Sequence, residues 1–462
     1  MDLLFKNGKI VTAESIFKAD VAVQGGRITQ IALGIKPDPE TTVVDARGKL
    51  VLPGAIDAHT HLAMPFGGTI STDDYETGTR SAACGGTTTV FDFILQDFGE
   101  SFPDSIRRRD ALAAPQACVD YSFHIGVKDV SGGLIDTMQE AVAMGVPSFK
   151  VFMVYDFGVT DGVFYQVLER SKDIGALIGV HAENNEMVNF LTAKYVAEKK
   201  KTAWYHYMSR PEFVEGEADE RAIAWAKSLH APLYIVHLAN KQGMEAVSRA
   251  REEGYPIFAE TCPQYLHFTS DVYKRADGIN FICSPSIKGK ESRDALWAGL
   301  LRGDITAVAT DHCPFKKAEK KWGAKDFTKV PNGCAGVENM YPYMLSEANK
   351  GRLSYSKVVE VCATNIAKIF GLDHVKGAIE VGRDADIVVY DPKQRVTITN
   401  KAMHGATDHT IWEGVPLKGY PEATYSRGKL VYKDGKFLGN KGDGRFIHCK
   451  PIRLTSPDLR NK

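Results

Sequence analysis

Residues 50–62 read LVLPGAIDAHTHL. An apolar run of strand length ends in Asp57, and two histidines, His59 and His61, follow one residue apart. On a strand, residues i and i+2 point to one side, whereas on a helix they diverge by about 200°. His59 and His61 therefore aim two imidazoles at one point. Taken alone the pair is a weak signal, because a histidine ending a strand is more often a hydrogen-bonded core residue. The pattern continues, however, through seven further short apolar runs. These are TTTVFDFI (87–94), VDYSFHIG (119–126), SFKVFMVY (148–155), ALIGVHAE (176–183), LYIVHLAN (233–240), PIFAETCP (256–263) and ITAVATDH (305–312). Amphipathic stretches such as DERAIAWAKSLH and GMEAVSRAREEG separate them, as expected of βα units on a parallel sheet. Eight such strands over about 310 residues predict an α/β fold built on a (β/α)8 TIM-type barrel, with a doubly wound sheet as the alternative.

In a barrel the C-terminal ends of all strands meet at one rim, where active sites are built. His59 and His61 end the first strand, Lys150 lies in the fourth, His181 ends the fifth, His237 the sixth and Asp311 the eighth. Histidine and carboxylate ligands suit a borderline divalent ion, for which Zn²⁺ is the usual choice. Four histidines and one aspartate exceed the three protein ligands of one open catalytic zinc, yet they fall short of two sites. Lys150 is costly to bury with its charge inside SFKVFMVY. Two readings of it stand. It snorkels to the rim, or it is a neutral amine that captures CO₂ and bridges two cations as a carbamate. Paired metals about 3.5–4 Å apart would then hold a hydroxide between them as nucleophile.

Working outward, residues 1–50 and those from 376 onward are short β-type runs broken by Asn-Gly and Gly-Gly turns, such as FKNGKIVT, DVAVQGGRITQIAL and GAIEVGRDADIVVYDP. The expected organisation is a smaller β-sandwich domain assembled from both termini (1–50 and 376–440), flanking a catalytic barrel (51–375). A C-terminal arm (441–462) would reach a neighbouring subunit.

The 462 residues carry 57 Lys plus Arg against 57 Asp plus Glu, and a zero net charge argues against nucleic acid as a partner. Eight cysteines without a CxxC pair read as reduced, buried thiols rather than a disulfide framework. The N-terminal MDLLFKNGKI lacks a signal-peptide h-region, and no apolar run approaches the ~18 residues of a membrane span. A cytoplasmic enzyme acting on a small molecule, with no membrane partner, is expected.

The stretches PGAIDAHTHLAMPFGGT (53–69), SFKVFMVY, GVHAEN (179–184), VHLAN (236–240), SPSIK (284–288), ATDHCPF (309–315), NGCAGVE (332–338) and GRDADIVVYDP (382–392) together resemble the hydantoinase/dihydropyrimidinase family of the metal-dependent amidohydrolases. The resemblance implies that His59, His61 and Asp311 bind one zinc, that His181 and His237 bind the other, and that carboxylated Lys150 bridges them with a hydroxide. It implies Asp311 as general base and then acid, Tyr155 as oxyanion donor, and Ser284 and Asn332 as holders of the cyclic amide, chiefly through main-chain groups. The implied reaction opens dihydropyrimidines or 5-substituted hydantoins to N-carbamoyl amino acids, in a homotetramer.

Dihydroorotases resemble HxHxR, whose Arg grips a carboxylate. Here Leu62 and Ala63 follow His61, and Met64, Phe66, Phe152 and Phe157 suggest a wall for a neutral ring with an apolar or absent substituent. Departures from the family pattern are Ala63, Ser286 (usually a second proline, so a looser amide-holding loop is expected), Ile366 and the centre of TDHTIWEG (407–414). His124, His267 and His312 match no ligand role and read as structural. The competing readings are an allantoinase-like ureide hydrolase, a mononuclear deaminase, and a non-catalytic scaffold such as the collapsin response mediator proteins.

Overall fold

In the computed structural model, which describes residues 1–452, eight parallel strands form one sheet in sequence order. They are β1 (Ala55–Thr60), β2 (Thr87–Leu95), β3 (Asp120–Gly126), β4 (Ser148–Phe152), β5 (Leu177–His181), β6 (Leu233–Ile235), β7 (Ile257–Thr261) and β8 (Ala307–Val308). Just beyond β1 and β8 the two edges meet. The His61 N–H donates to the His312 carbonyl at 2.9 Å, and the His312 N–H donates to the His59 carbonyl at 3.2 Å. The expected (β/α)8 barrel is formed. Its strands read as continuous apolar runs because helices cover the outside, so both faces are buried.

The strands β6 and β8 are shorter than the sequence runs suggest. The backbone turns into the left-handed region at His237 (φ 39°) and Asp311 (φ 52°), which ends the regular pairing before those side chains are reached. Asn240 follows at once as the N-cap of helix Lys241–Glu252, its side chain accepting from the Gly243 N–H at 2.7 Å. The strand, the functional turn and the helix start are thus compressed into a few residues.

Ile56, Ala58, Phe91, Leu177, Tyr234, Val236, Phe258, Ala307 and Ala309 form one buried cluster with Ile366, Phe370, Leu372, Cys449 and Ile452. The C-terminal residues run across the N-terminal ends of the strands. Cys449 N–H donates to Gly145 (2.9 Å), Lys450 N–H to Gly371 (3.0 Å) and Ile452 N–H to Gly175 (2.7 Å). Of the expected arm 441–462, residues 444–452 therefore pack along their own barrel, and 453–462 lie outside the described residues.

Both chain ends build the second domain. A seven-stranded sheet runs in the order Lys436–Phe437, Lys429–Lys433, Pro416–Ser426, Ile387–Thr397, Leu50–Pro53, Lys9–Val11, Ile16–Lys18. A four-stranded sheet of Arg27–Ala32, Asp20–Gln24, Leu3–Lys6 and Thr42–Asp45 faces it. Phe5, Ile10, Val21, Val23, Val51, Ile387 and Val389 are buried together between them. Strand Leu50–Pro53 passes into β1 through Gly54, where an added Cβ would lie 2.2 Å from the Thr88 hydroxyl oxygen. The domain junction is polar. Lys376 Nζ lies 2.6 Å from Asp120, 3.0 Å from Asp384 and 2.6 Å from Asp386, and Arg427 also pairs with Asp120. All eight cysteines are buried and free, and among the described residues no helix is long and apolar enough to cross a membrane.

Candidate active site and metal centre

His59, His61 and Asp311 bring one ligand atom each to within 4.8 Å of one another. Asp311 Oδ1 lies 3.2 Å from His59 Nε2 and 3.1 Å from His61 Nε2. Lys150 Nζ is 3.0 Å from the same His59 Nε2, so β4 meets β1 and β8 at one point. On the other side His181 Nδ1 and His237 Nε2 face each other at 3.0 Å. The sequence-derived ligands are thus gathered at one rim.

The hydrogen-bond network sets the histidine tautomers. His181 Nε2 is 2.8 Å from Glu183, whose carboxyl is held well below its usual range by Arg210 and His181 against the opposing effect of burial. Nε2 therefore carries the proton, and the Nδ1 lone pair is aimed at His237. His59 Nδ1 contacts Glu260, leaving Nε2 for Lys150 and Asp311. Burial lowers the pKa of His59, His61, His181 and His237, so all four imidazoles stay neutral, as metal ligation requires.

The donor set fits divalent cations. Neutral imidazole nitrogens face one another and a carboxylate, while His61 Nδ1 and His237 Nδ1 are buried without a partner among the described residues. Burial also pushes Glu260 up to about 8, a cost that cations beside His59 would offset. Lys150 is fully enclosed, 4.3 Å from the Phe93 ring centroid and 4.9 Å from that of Phe152, and burial lowers its pKa to about 8. It does not snorkel to solvent.

Above these groups lies a pocket lined among others by Met64, Phe66, Phe152, Tyr155, Phe157, Ser284 and Asn332. Phe66 meets Tyr155 edge-on at 5.6 Å, and Phe157 stacks on Tyr155 at 5.3 Å. Tyr155 takes φ 79°, a left-handed backbone that a bulky residue adopts only when its surroundings enforce it. Burial raises its phenol pKa, so it keeps its proton as a donor. Asn332 Nδ2 donates to the Ser284 hydroxyl at 2.8 Å. Among the described residues the Asn332 N–H and the Ser284 carbonyl have no hydrogen-bond partner.

The amidohydrolase family model matches residues 50–431. The chain is 40% identical to a D-hydantoinase of Ralstonia pickettii over 452 residues, 97% of this chain and 98% of that one. It is 39% identical to a D-hydantoinase of Rhizobium radiobacter, covering 96% of this chain and 98% of that one. The crystal structure of dihydropyrimidinase from Brevibacillus agri superposes with a TM-score of 0.96 at 37% identity, covering 98% of this chain and 100% of that one. The chain belongs to the hydantoinase/dihydropyrimidinase family of amidohydrolases. It is an enzyme of the cyclic amide hydrolase type.

In this amidohydrolase one family departure, Ser286, finds local compensation. Ser286 does not leave its loop slack: its hydroxyl donates to the Arg210 carbonyl at 3.2 Å and accepts from Lys288 at 3.1 Å. His124 uses both nitrogens, on Ser148 (2.7 Å) and the Ala58 carbonyl (3.0 Å), and His312 pairs with Asp73 at 3.0 Å. His267 packs among Phe268, Tyr343 and Trp412. Sequence reasoning missed Glu183, Arg210 and Glu260, which orient the histidines. Glu260 carried a readable signal, a carboxylate inside the apolar run PIFAETCP, the same anomaly that singled out Lys150.

Proposed function

We propose that this enzyme hydrolyses a ring amide of 5,6-dihydropyrimidines or 5-substituted hydantoins, yielding N-carbamoyl amino acids. The observation that carries the reading is the unpartnered pair at the cavity wall, the Asn332 N–H and the Ser284 carbonyl. A cyclic amide presents the complementary C=O and N–H. The apolar wall of Met64, Phe66, Phe152 and Phe157 suits a neutral ring and excludes water from it.

Two zinc ions, one held by His59, His61 and Asp311 and one by His181 and His237, with carboxylated Lys150 serving both, would supply Lewis-acid polarisation and a water of lowered pKa. Lys150 reaches its carbamate by attack of the neutral amine on CO₂ with loss of one proton, and its lowered pKa supports this. Asp311 accepts a proton from the attacking water and returns it to the leaving ring nitrogen. Tyr155 donates its hydroxyl to the developing oxyanion. Part of the same reading is a cytoplasmic homotetramer. Eight buried free thiols support the reducing compartment, and the tetramer rests on the family resemblance.

A kinetic panel of dihydrouracil, dihydrothymine, 5-substituted hydantoins and allantoin, run beside metal analysis, tests the proposal. Turnover of the first three classes with two zinc ions per subunit is expected. Allantoin as much the best substrate, or one metal with unmodified Lys150 in a CO₂-replete preparation, would overturn it.

A further inference from the structure

Two loops carry the amide-holding residues: one leads to Ser284 and the other contains Asn332. Neither belongs to a barrel strand, so something else must set the distance between them. One buried side chain ties both loops together, beside the direct bonds from Asn332 Nδ2 to the Ser284 hydroxyl and from the Gly333 N–H to the Ile282 carbonyl. Lys320, at the end of the short helix Lys317–Lys320, is completely enclosed. Its ammonium donates to the Ile282 carbonyl at 2.9 Å, the Pro331 carbonyl at 2.8 Å and the Gly333 carbonyl at 2.7 Å. An ammonium has three N–H donors, and all three are used. Among the described residues no carboxylate pairs with it. Also around it are the Phe315 ring, 5.7 Å away, and the thiols of Cys283, Cys313 and Cys334, with Glu319 and His409 acting on it from further off. An enclosed charge with no carboxylate paired to it is an expensive way to join two loops, and neutral hydrogen bonds would join them for less. The charge itself therefore has a use.

That use lies in which carbonyls are chosen. The Pro331 carbonyl and the Asn332 N–H belong to the same peptide group. A cation on the oxygen withdraws electron density from the nitrogen, so the N–H becomes a stronger donor, and hydrogen bonds in series reinforce one another. The Ile282 carbonyl also accepts from the Gly333 N–H at 2.9 Å, which locks the two loops in register around the Lys320 contact. We infer that Lys320 is a positioning residue for ring recognition: it fixes the Asn332 loop against the Ser284 loop and, through the Pro331–Asn332 peptide, polarises the N–H that grips the substrate carbonyl.

This inference rests on the reading of the site as a cyclic amide pocket. Its test compares wild type with Lys320→Met, which keeps the volume and removes the donors, and with Lys320→Ala assayed with added propylammonium, which supplies the missing atoms. A contact made equally in ground and transition states shows in KM. For dihydrouracil and hydantoin, Lys320→Met should raise KM at least about tenfold with kcat within about threefold and zinc content unchanged. Loss of folded protein alone would lower apparent kcat and leave KM untouched. KM of Lys320→Ala should fall as propylammonium is added, and this measurement decides the matter if the methionine variant does not fold. An unchanged KM in Lys320→Met, or a KM in Lys320→Ala indifferent to the amine, overturns the role of Lys320 while leaving the cyclic amide reading intact. A wild type that neither turns over these rings nor binds them in a calorimetric titration overturns that reading and the inference with it.

Discussion

Among the described residues two clusters each bring three potential metal ligands within 4.8 Å, and the protein balances them differently. At the domain junction Asp120, Asp384 and Asp386 surround Lys376, while Arg427 pairs with Asp120 and Arg27 with Asp384. Three negative charges meet three positive ones, with every short contact of opposite sign. At the rim Asp311 meets His59 Nε2 and His61 Nε2, imidazoles whose charged form burial disfavours. Imidazole nitrogens confront a lysine nitrogen and one another at 3.0 Å, and two histidine nitrogens are orphaned. Proximity of ligand atoms is common to both clusters. What separates a structural knot from a candidate metal centre is the absence of a protein group able to occupy the space between the lone pairs.

That contrast can be broken or sharpened by experiment. Lys150→Ala should lose bound metal and at least about 10⁴-fold in activity, a share of the enhancement enzymes typically supply, with partial rescue by short carboxylic acids. A fully active variant would erase the difference between the clusters. Lys376→Met should cost about 3–5 kcal/mol in denaturant melts, because breaking a buried ion-pair network strands its carboxylates, and metal content should not change. Metal loss in this variant would show that the junction is no mere knot. Tyr155→Phe should lower kcat roughly 10²-fold, the worth of one oxyanion donor, with metal retained; an undiminished kcat removes the phenol from the reaction.

The smallest effect concerns pH. Burial depresses Lys150 to about 8, so the amine is charged and unreactive below that pH and neutral above it. With the group at that value, the neutral fraction is roughly 3% at pH 6.5 and roughly 75% at pH 8.5. Incorporation of labelled CO₂ into apoprotein, at fixed dissolved CO₂ and with zinc supplied, should then be ~25-fold faster at the higher pH. A flat or inverted profile would remove the carbamate.

The barrel was legible because parallel strands buried on both faces read as unbroken apolar runs, and each polar interruption at a run's end proved to lie at one rim. His59 and His61 could be paired from spacing alone. Glu260 and Glu183 could not be paired with their histidines. Glu260 is 201 positions from His59, and nothing local ties them. Glu183 lies beside His181, but its role depends on Arg210, which arrives from the turn between helices Ala203–Met208 and Glu212–Leu229. Lys320 sits in the basic stretch KKAEKK (316–321), and only its enclosed environment distinguishes it from Lys316, Lys317 and Lys321. Tertiary charge compensation leaves no periodicity in a sequence.

The strand Leu50–Pro53 lies between Lys9–Val11 and Ile387–Thr397, and the floor of the barrel is covered by Cys449 and Ile452. A ribosome makes the first of these segments nearly 400 residues before the last. Strand Leu50–Pro53 must therefore wait for Ile387–Thr397 to be made before that edge is paired, and the floor of the barrel stays open until Cys449 and Ile452 follow. A nascent chain stalled before residue 444 would present an open barrel floor to the cell's chaperones.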